Sequence, residues 1–301
     1  MVWDRDTLKP LYQKAKSFEP YSDTEIQSVT PLYEGYTAKS AVFSYDDCVA
    51  NDIRFIELLD KYGMKCTFNL TVKNLISVMK TPSGKTEEAD ILNFIKETYK
   101  NHEIANHSVN HYHAGTSAAD TVIADVTDAS DYMEEKLGVR PVGVAWANGY
   151  VKGRTDCQQI IDGVKAAGIK YARHMENYAY SLPEDWYFWR ATCQHKDVAA
   201  YADDYVILKN SGELKCLYMW GHTYECTNEN DWVVLENAMQ KLASDNIWFA
   251  TNGDIYEYVE ATKLLVQEGN TVTNNSDMTV YCQINGINKA LAPNEVYTIS
   301  D

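Results

Sequence analysis

The chain has 301 residues, 45% of them hydrophobic and 23% charged, which indicates a soluble globular protein with one large domain of the size that α/β barrels reach. Its formal net charge of −16 repels polyanions and argues against nucleic acid as a partner, and no apolar stretch is long enough to span a bilayer. The seven scattered cysteines include no Cys-x-x-Cys pair, which argues against a disulfide framework or a thiolate zinc site.

Residues 1–38 predict an N-terminal extension that carries no motif. Three prolines, Pro10, Pro20 and Pro31, interrupt its short polar helical stretches. No apolar segment follows a basic one at the start, so we expect a cytoplasmic protein, or a secreted one whose signal peptide has been removed.

Residues 39–267 alternate between strand and helix patterns. The strands are predicted at about 40–46, 65–70, 102–107, 142–147, 170–173, 214–220 and 247–251. The helices are predicted at about 51–62, 88–100, 117–137 with Ser117 as N-cap, 155–167, 231–244 and 254–267. This alternation predicts βαβ units and a parallel sheet closed into a barrel, with the chemistry at the carboxyl ends of the strands.

The last segment, residues 268–301, predicts a small β appendage. Apolar residues alternate with polar ones before Asn285-Gly286, which is a hairpin turn signal. Residues 296–299 are predicted to return as the partner strand of that hairpin.

Two adjacent acids and two histidines follow predicted strands. Asp46 and Asp47 end one apolar run, and His107 and His111 follow another. Two imidazoles and one carboxylate make a metal site with positions open for water and substrate, and the second acid is then free to act as a base beside it.

Each motif has a simpler explanation when it is taken alone. The acid pair could cap the helix that begins near Asn51, and the two histidines could be hydrogen-bonded loop residues. Ser108 stands where the glutamate of a His-Glu-x-x-His metalloprotease would be, which excludes that enzyme class.

Four segments that follow one another in the chain indicate an active site more strongly than any one motif does. They are Ser-Tyr-Asp-Asp-Cys at 44–48, His-Ser-Val-Asn-His at 107–111, Ala-Trp-Ala-Asn-Gly at 145–149 and Trp-Gly-His at 220–222. Over residues 38–262 the chain thereby resembles the polysaccharide deacetylases of carbohydrate esterase family 4, the NodB homology domain. The resemblance implies a distorted (β/α)7 barrel and a divalent metal, usually zinc, held by Asp47, His107 and His111. It also implies that Asp46 is the general base and His222 the general acid.

The resemblance also predicts how the substrate is held. A backbone N–H near Asn148 would stabilise the oxyanion together with the metal. The family has an arginine at the position of Ala145, so a substitute cation is needed, and we predict Arg190, with a surface ion pair as the alternative. Trp146 and Trp220 are predicted to line a sugar-binding groove, with burial in the core as the alternative.

Three functions are compatible with this pattern. The first is a metal-dependent hydrolase that removes acetyl groups from an N- or O-acetylated carbohydrate. The second keeps the site but acts as an intracellular deacylase or amidase on a small acylated molecule. The third, suggested by the missing arginine, is a catalytically silent carbohydrate-binding barrel.

Overall fold

The computed structural model describes residues 29–77, 84, 87–175, 179–209 and 212–299. The predicted N-terminal extension lies outside the described residues as far as residue 28. Within the described part of the chain, no helix has both the length and the apolar character that a membrane span requires.

The described part of the chain contains fifteen strands in three sheets. They are β1 (Val29–Leu32), β2 (Lys39–Asp46), β3 (Cys66–Leu70), β4 (Glu103–Asn106), β5 (Gly143–Ala145), β6 (Tyr171–His174), β7 (Trp189–Arg190), β8 (Cys193–Gln194), β9 (Lys215–Gly221), β10 (Trp248–Phe249), β11 (Leu265–Glu268), β12 (Thr271–Asn274), β13 (Val280–Ile284), β14 (Ile287–Leu291) and β15 (Val296–Thr298).

Eight helices accompany these strands in the described residues. They are α1 (Asp52–Tyr62), α2 (Val72–Ser77), α3 (Glu88–Tyr99), α4 (Ala119–Leu137), α5 (Cys157–Ala166), α6 (Val198–Val206), α7 (Glu229–Ala243) and α8 (Asn252–Thr262). The prediction missed α2 and α6. Ser117 is not the N-cap of α4, because Ala118 takes that position, whereas Gly138 ends the helix in the left-handed conformation that the sequence indicates.

The main sheet is parallel and runs in the order β7-β6-β5-β4-β3-β2-β9-β8, with β10 beside the start of β2. Its two edge strands, β7 and β8, are consecutive in the chain. Between them, the Ala191 N–H donates to the His174 carbonyl (3.1 Å) and the Thr192 N–H donates to the Tyr218 carbonyl (2.6 Å). The segment 189–194 therefore hydrogen-bonds to both β6 and β9 and takes the seventh strand position of the barrel. The predicted distorted (β/α)7 barrel is confirmed.

The C-terminal strands form two antiparallel sheets, β1-β13-β14 and β11-β12-β15. The hairpin at Asn285-Gly286 is confirmed, since it joins β13 to β14. The prediction that residues 296–299 pair with this hairpin is wrong, because β15 pairs with β12. The predicted helix 254–267 is also too long: α8 ends at Thr262, and Gly269 (φ 58°) supplies the turn by which β11 pairs with β12.

Candidate active site

Asp47, His107 and His111 converge at the carboxyl ends of β2 and β4. The Nε2 atoms of the two histidines lie 3.0 Å apart. The Oδ1 atom of Asp47 lies 3.9 Å from His107 Nε2 and 3.8 Å from His111 Nε2. Parallel neighbouring strands deliver their ends to the same rim, which is why residues 60 positions apart in sequence meet here.

The backbone around these residues adopts the left-handed conformation repeatedly. Among the described residues, eight that are not glycine have a positive φ, and five of them lie in the loops of this site. They are Asp47 (85°), Cys48 (60°), Ser108 (69°), His111 (61°) and Asn148 (53°). Each such residue costs about 1–3 kcal/mol, and strain of this kind concentrates where function requires it.

Hydrogen bonds fix both imidazoles. His107 Nδ1 donates to the Ala145 carbonyl oxygen (2.8 Å), which leaves the Nε2 lone pair facing the convergence point. The side-chain Nδ2 of Asn148 lies 2.8 Å from His111 Nδ1. Burial lowers the pKa of His107, so this imidazole is held in the neutral form that binds metals.

Asp46 is buried beside the three residues and is bound by a guanidinium. Arg173 donates from Nη1 to Oδ1 (2.9 Å) and from Nη2 to Oδ2 (2.6 Å), a bidentate pair, and Asn69 Nδ2 donates to Oδ1 (2.9 Å). Burial raises the pKa of Asp46, but the charge of Arg173, aided by His107 and His222, outweighs it and holds that pKa well below its usual range. Asp46 is therefore ionised.

The prediction that Arg190 supplies this cation is wrong, because Arg173 occupies both oxygens of Asp46. In the parallel register of β5 and β6, Arg173 stands directly beside Ala145, the position where the family has its arginine. Arg190 lies one strand further on, beside His174. A charged residue ending the apolar run Tyr171-Ala172 was the signal in the sequence that could have identified Arg173.

His222 lies on the other side of the acid pair. Its Nε2 is 3.7 Å from Asp46 Oδ2 and 3.7 Å from Asp47 Oδ2. Its Nδ1 faces Glu225 Oε2 at 3.4 Å. The imidazole is thus oriented by a carboxylate from its own loop, and its Nε2 points toward the space above the two aspartates.

Glu225 is held by a group that the sequence did not indicate. Lys196 Nζ donates to it (2.9 Å), Gln194 Nε2 donates to it (3.1 Å), and His195 Nε2 lies 3.7 Å from its Oε2. Burial raises the pKa of Glu225, but the Lys196 hydrogen bond and the two histidines have the larger effect. The pKa of Glu225 therefore lies below its usual value. His195 is buried against the backbone of Gly221, where an added Cβ would lie 2.0 Å from the imidazole Nδ1.

The two tryptophans predicted to line a groove have different environments. Trp220 is half-buried, with the Arg173 guanidinium 5.1 Å from its ring centroid and the His222 ring 5.9 Å away. Trp146 is only 2% exposed and packs in the core with Val144. The prediction that Trp146 lines a substrate groove is therefore wrong.

Asp52, at the start of α1, ties two loops of the site together. Its buried carboxylate accepts from Thr223 Oγ1 (2.5 Å), Tyr99 OH (2.7 Å) and the Val49 N–H (3.2 Å). Thr223 follows His222, and Val49 lies two residues after Asp47. Burial raises the pKa of Asp52 to about 6.

Asp52 should make the stability of the fold depend on pH. Its folded pKa of about 6 lies above the ordinary 3.8. The stability that protonated Asp52 contributes to the fold is therefore fully present below pH 3.8 and is lost as the pH rises through 6. We expect the stability of Asp52→Asn relative to wild type to rise by about 3 kcal/mol between pH 4 and pH 7 in urea unfolding. Asp60→Asn, an exposed acid on the same helix, is the control. A difference that does not change with pH would contradict the raised pKa.

The donors of Asp47, His107 and His111 fit a divalent metal ion. Ligand atoms about 2.0–2.2 Å from a tetrahedral zinc lie about 3.4 Å from one another. The observed separations of 3.0, 3.8 and 3.9 Å bracket this value. Two imidazole nitrogens and one carboxylate oxygen are also a donor set that zinc accepts, with coordination positions left over.

The family model described as polysaccharide deacetylase matches residues 34–172 of this chain. The match spans β2 to β5 and includes the acid pair, both histidines and Asn148. It ends one residue before Arg173. No curated protein matches the chain.

Two solved structures share the fold over most of their length. A candidate polysaccharide deacetylase from Mycobacterium smegmatis is 15% identical, with 80% of this chain and 98% of that chain covered and a TM-score of 0.54. The Xyl-CE4 domain of a multidomain xylanase from the hindgut metagenome of Trinervitermes trinervoides is 15% identical, with 74% and 92% covered and a TM-score of 0.50. At such identities the likeness shows a shared fold.

The family match and the barrel agree with the order of motifs in the sequence. The resemblance that those motifs indicated is confirmed. Residues 34–172 of this chain match the polysaccharide deacetylase family, and this match together with the fold indicates a hydrolase that acts on amide or ester bonds.

Proposed function

We propose that this protein is a metal-dependent deacetylase that removes acetyl groups from an N- or O-acetylated carbohydrate. One observation carries the proposal: Asp47, His107 and His111 converge beside an ionised Asp46, with His222 3.7 Å from both acids. Metal ligands, a base and an acid are thereby available around one point, as hydrolysis of an acetyl group requires.

The ligands of the metal would be Asp47, His107 and His111, and zinc suits their donor set best. A divalent metal at this position supplies a Lewis acid that polarises the acetyl carbonyl and lowers the pKa of water to about 7. The Ala145 carbonyl accepts from His107 Nδ1, which is the usual support of a histidine ligand, and the Asn148 amide contacts His111 Nδ1 from behind.

Asp46 acts as the general base. Arg173 keeps the carboxylate ionised and fixes its plane, so that it accepts a proton from the attacking water. The new C–O bond to the acetyl carbon forms as that proton leaves. We assign a backbone N–H at Asn148 to the oxyanion, because this residue adjoins His111.

His222 acts as the general acid. Glu225 accepts from its Nδ1, and in the doubly protonated imidazolium Nε2 carries the proton delivered to the departing amine nitrogen or sugar oxygen. The C–N or C–O bond breaks as this proton arrives, and the products are acetate and the free amine or hydroxyl group. The missing arginine at Ala145 suggested a silent barrel, but Arg173 supplies a guanidinium to both oxygens of Asp46.

Acetate release tests this function. Wild-type protein loaded with zinc is expected to release acetate from N-acetylglucosamine oligomers or acetylated xylo-oligosaccharides. Asp46→Asn and His222→Ala should each lower kcat by about 10²–10⁴-fold, the usual value of a general base or acid, and should retain the metal. Asp128→Asn, an exposed acid on α4, is the control.

Two results would contradict the assignment. Full turnover in Asp46→Asn or His222→Ala would remove the proposed roles of those residues. Turnover of small acylated amides with no release from any oligosaccharide would replace the carbohydrate substrate by a small molecule.

A further inference from the structure

The loop that joins the two candidate histidine ligands has a strained backbone. It begins at His107, directly after β4, and ends at His111. Within it, Ser108 (φ 69°) and His111 (φ 61°) adopt the left-handed conformation. Each such residue costs about 1–3 kcal/mol, so contacts from outside the loop must stabilise its shape.

Asp125, in the second turn of α4, supplies such contacts. Its Oδ1 accepts from the Asn110 N–H (3.0 Å) and from Asn110 Nδ2 (2.8 Å). Its Oδ2 accepts from the Asn110 N–H at 3.3 Å and from the Tyr112 N–H at 3.5 Å. The backbone carbonyl of Asp125 accepts from the Val109 N–H (3.2 Å). One helix residue therefore binds the N–H groups immediately before and after His111.

Burial strengthens these contacts. Asp125 is only 5% exposed, although it carries a carboxylate. Hydrogen bonds from N–H groups to a carboxylate are about twice as strong as those between neutral groups. The carbonyl groups of the loop are bound from the other side, since the Val72 N–H donates to Ser108 (3.1 Å) and the Lys73 N–H donates to Val109 (3.1 Å). The loop is thus clamped between α2 and α4.

This clamp determines where the His111 imidazole points. The peptide groups on both sides of His111 are the ones that Asp125 binds, and their orientation sets the direction of the side chain. His111 Nε2 lies 3.0 Å from His107 Nε2 and 3.8 Å from Asp47 Oδ1. Metal donors have to be held to within about 0.5 Å, which hydrogen bonds behind the ligands provide.

We propose that Asp125 is a positioning residue for the metal site. It holds the loop in the conformation that directs His111 toward the point shared with His107 and Asp47. It raises the affinity for zinc through the backbone of the loop and not as a ligand. This inference rests on the proposed function, because that function requires a metal at this point, but it concerns binding of the ion and is tested without turnover.

The zinc affinity of three variants, measured by competition with a chelator, tests this role. Asp125→Asn keeps the shape of the side chain but turns an amide NH2 group toward N–H donors of the loop. It should raise the Kd for zinc about tenfold, as loss of support behind metal ligands does. Asn110→Ala removes one side-chain hydrogen bond and should raise the Kd about threefold. Asp128→Asn is the matched control, since it removes the same charge from an exposed position one turn further along α4, and should leave the Kd unchanged.

A spectrum separates positioning from a general loss of stability. The visible absorption of cobalt(II) bound in place of zinc depends on the geometry of its ligands. It should change in Asp125→Asn and Asn110→Ala and stay the same in Asp128→Asn. Asn110→Ala leaves the buried acid in place at an exposed position, so it tests the role even if Asp125→Asn fails to fold.

Two outcomes distinguish this inference from the proposed function. If the zinc Kd and the cobalt spectrum of Asn110→Ala and Asp125→Asn equalled those of Asp128→Asn, Asp125 would have no positioning role, even if the fold lost stability. A wild-type protein whose zinc affinity depends on Asp125 but that releases no acetate would overturn the deacetylase proposal and keep the role of Asp125.

Discussion

Replacing Arg173 by methionine is expected to lower acetate release by at least 100-fold and to destabilise the fold by about 3–5 kcal/mol, the cost of leaving one partner of a buried ion pair alone. Arg173 and Asp46 are 1% and 2% exposed, so water does not replace the lost contact. Asp46 loses the cation that holds its pKa down and can no longer keep its orientation.

The pair also gives this prediction a pH dependence. Because the folded pKa of Asp46 is lower than its unfolded pKa, the contribution of the pair is present above pH 4 and is lost as the pH falls below that value. Urea unfolding at pH 7 and pH 3 should therefore show a smaller difference between wild type and Arg173→Met at the lower pH.

Two variants separate the roles of the pair in stability and activity. Asp46→Asn/Arg173→Met should regain part of the lost stability, since no unpaired charge remains, but no activity. Arg190→Met, on the neighbouring strand β7, is the matched control and should affect acetate release far less. If Arg190→Met abolished release while Arg173→Met did not, Arg173 would not be the partner of the base.

Replacing His107 or His111 by alanine is expected to empty the metal site. Loss of a second-sphere contact to a metal ligand costs about 10–100-fold in affinity, so loss of a ligand should cost at least 100-fold. Metal analysis after dialysis should find zinc bound stoichiometrically to wild type and near background in both variants. Acetate release should fall with the metal content.

Two further variants make this result specific. His113→Ala removes an exposed histidine from the same loop and should retain the metal. Asn148→Ala removes the contact behind His111 and should weaken zinc binding about tenfold. Equal zinc content in His107→Ala and wild type would show that the metal is held elsewhere.

The convergence of the candidate metal ligands was predictable because strand ends suffice to place them. Parallel strands deliver the residues that follow them to one rim, so Asp47 and His107 could be brought together without knowledge of the register. Arg173 could not be found in that way. Its position beside Ala145 depends on how β5 and β6 are aligned, and this alignment follows from packing along the whole strand pair.

Side-chain direction was the second limit. Trp146 directly follows β5, and periodicity alone does not say whether a residue at a strand end points to the rim or to the core. The exposed ring in this loop is Tyr150, four residues later. Likewise, the apolar residues at 264–266 continue a helical pattern in the sequence. They form a strand instead, because the turn at Gly269 lets β11 pair with β12.

The central claim is that one ion is shared by Asp47, His107 and His111. A crystal structure of zinc-loaded protein, with anomalous data at the zinc edge, tests it most directly. We expect a single strong peak about 2.0–2.2 Å from an Asp47 carboxylate oxygen and from both Nε2 atoms. A peak at other residues, or none between these three side chains at saturating zinc, would contradict the account.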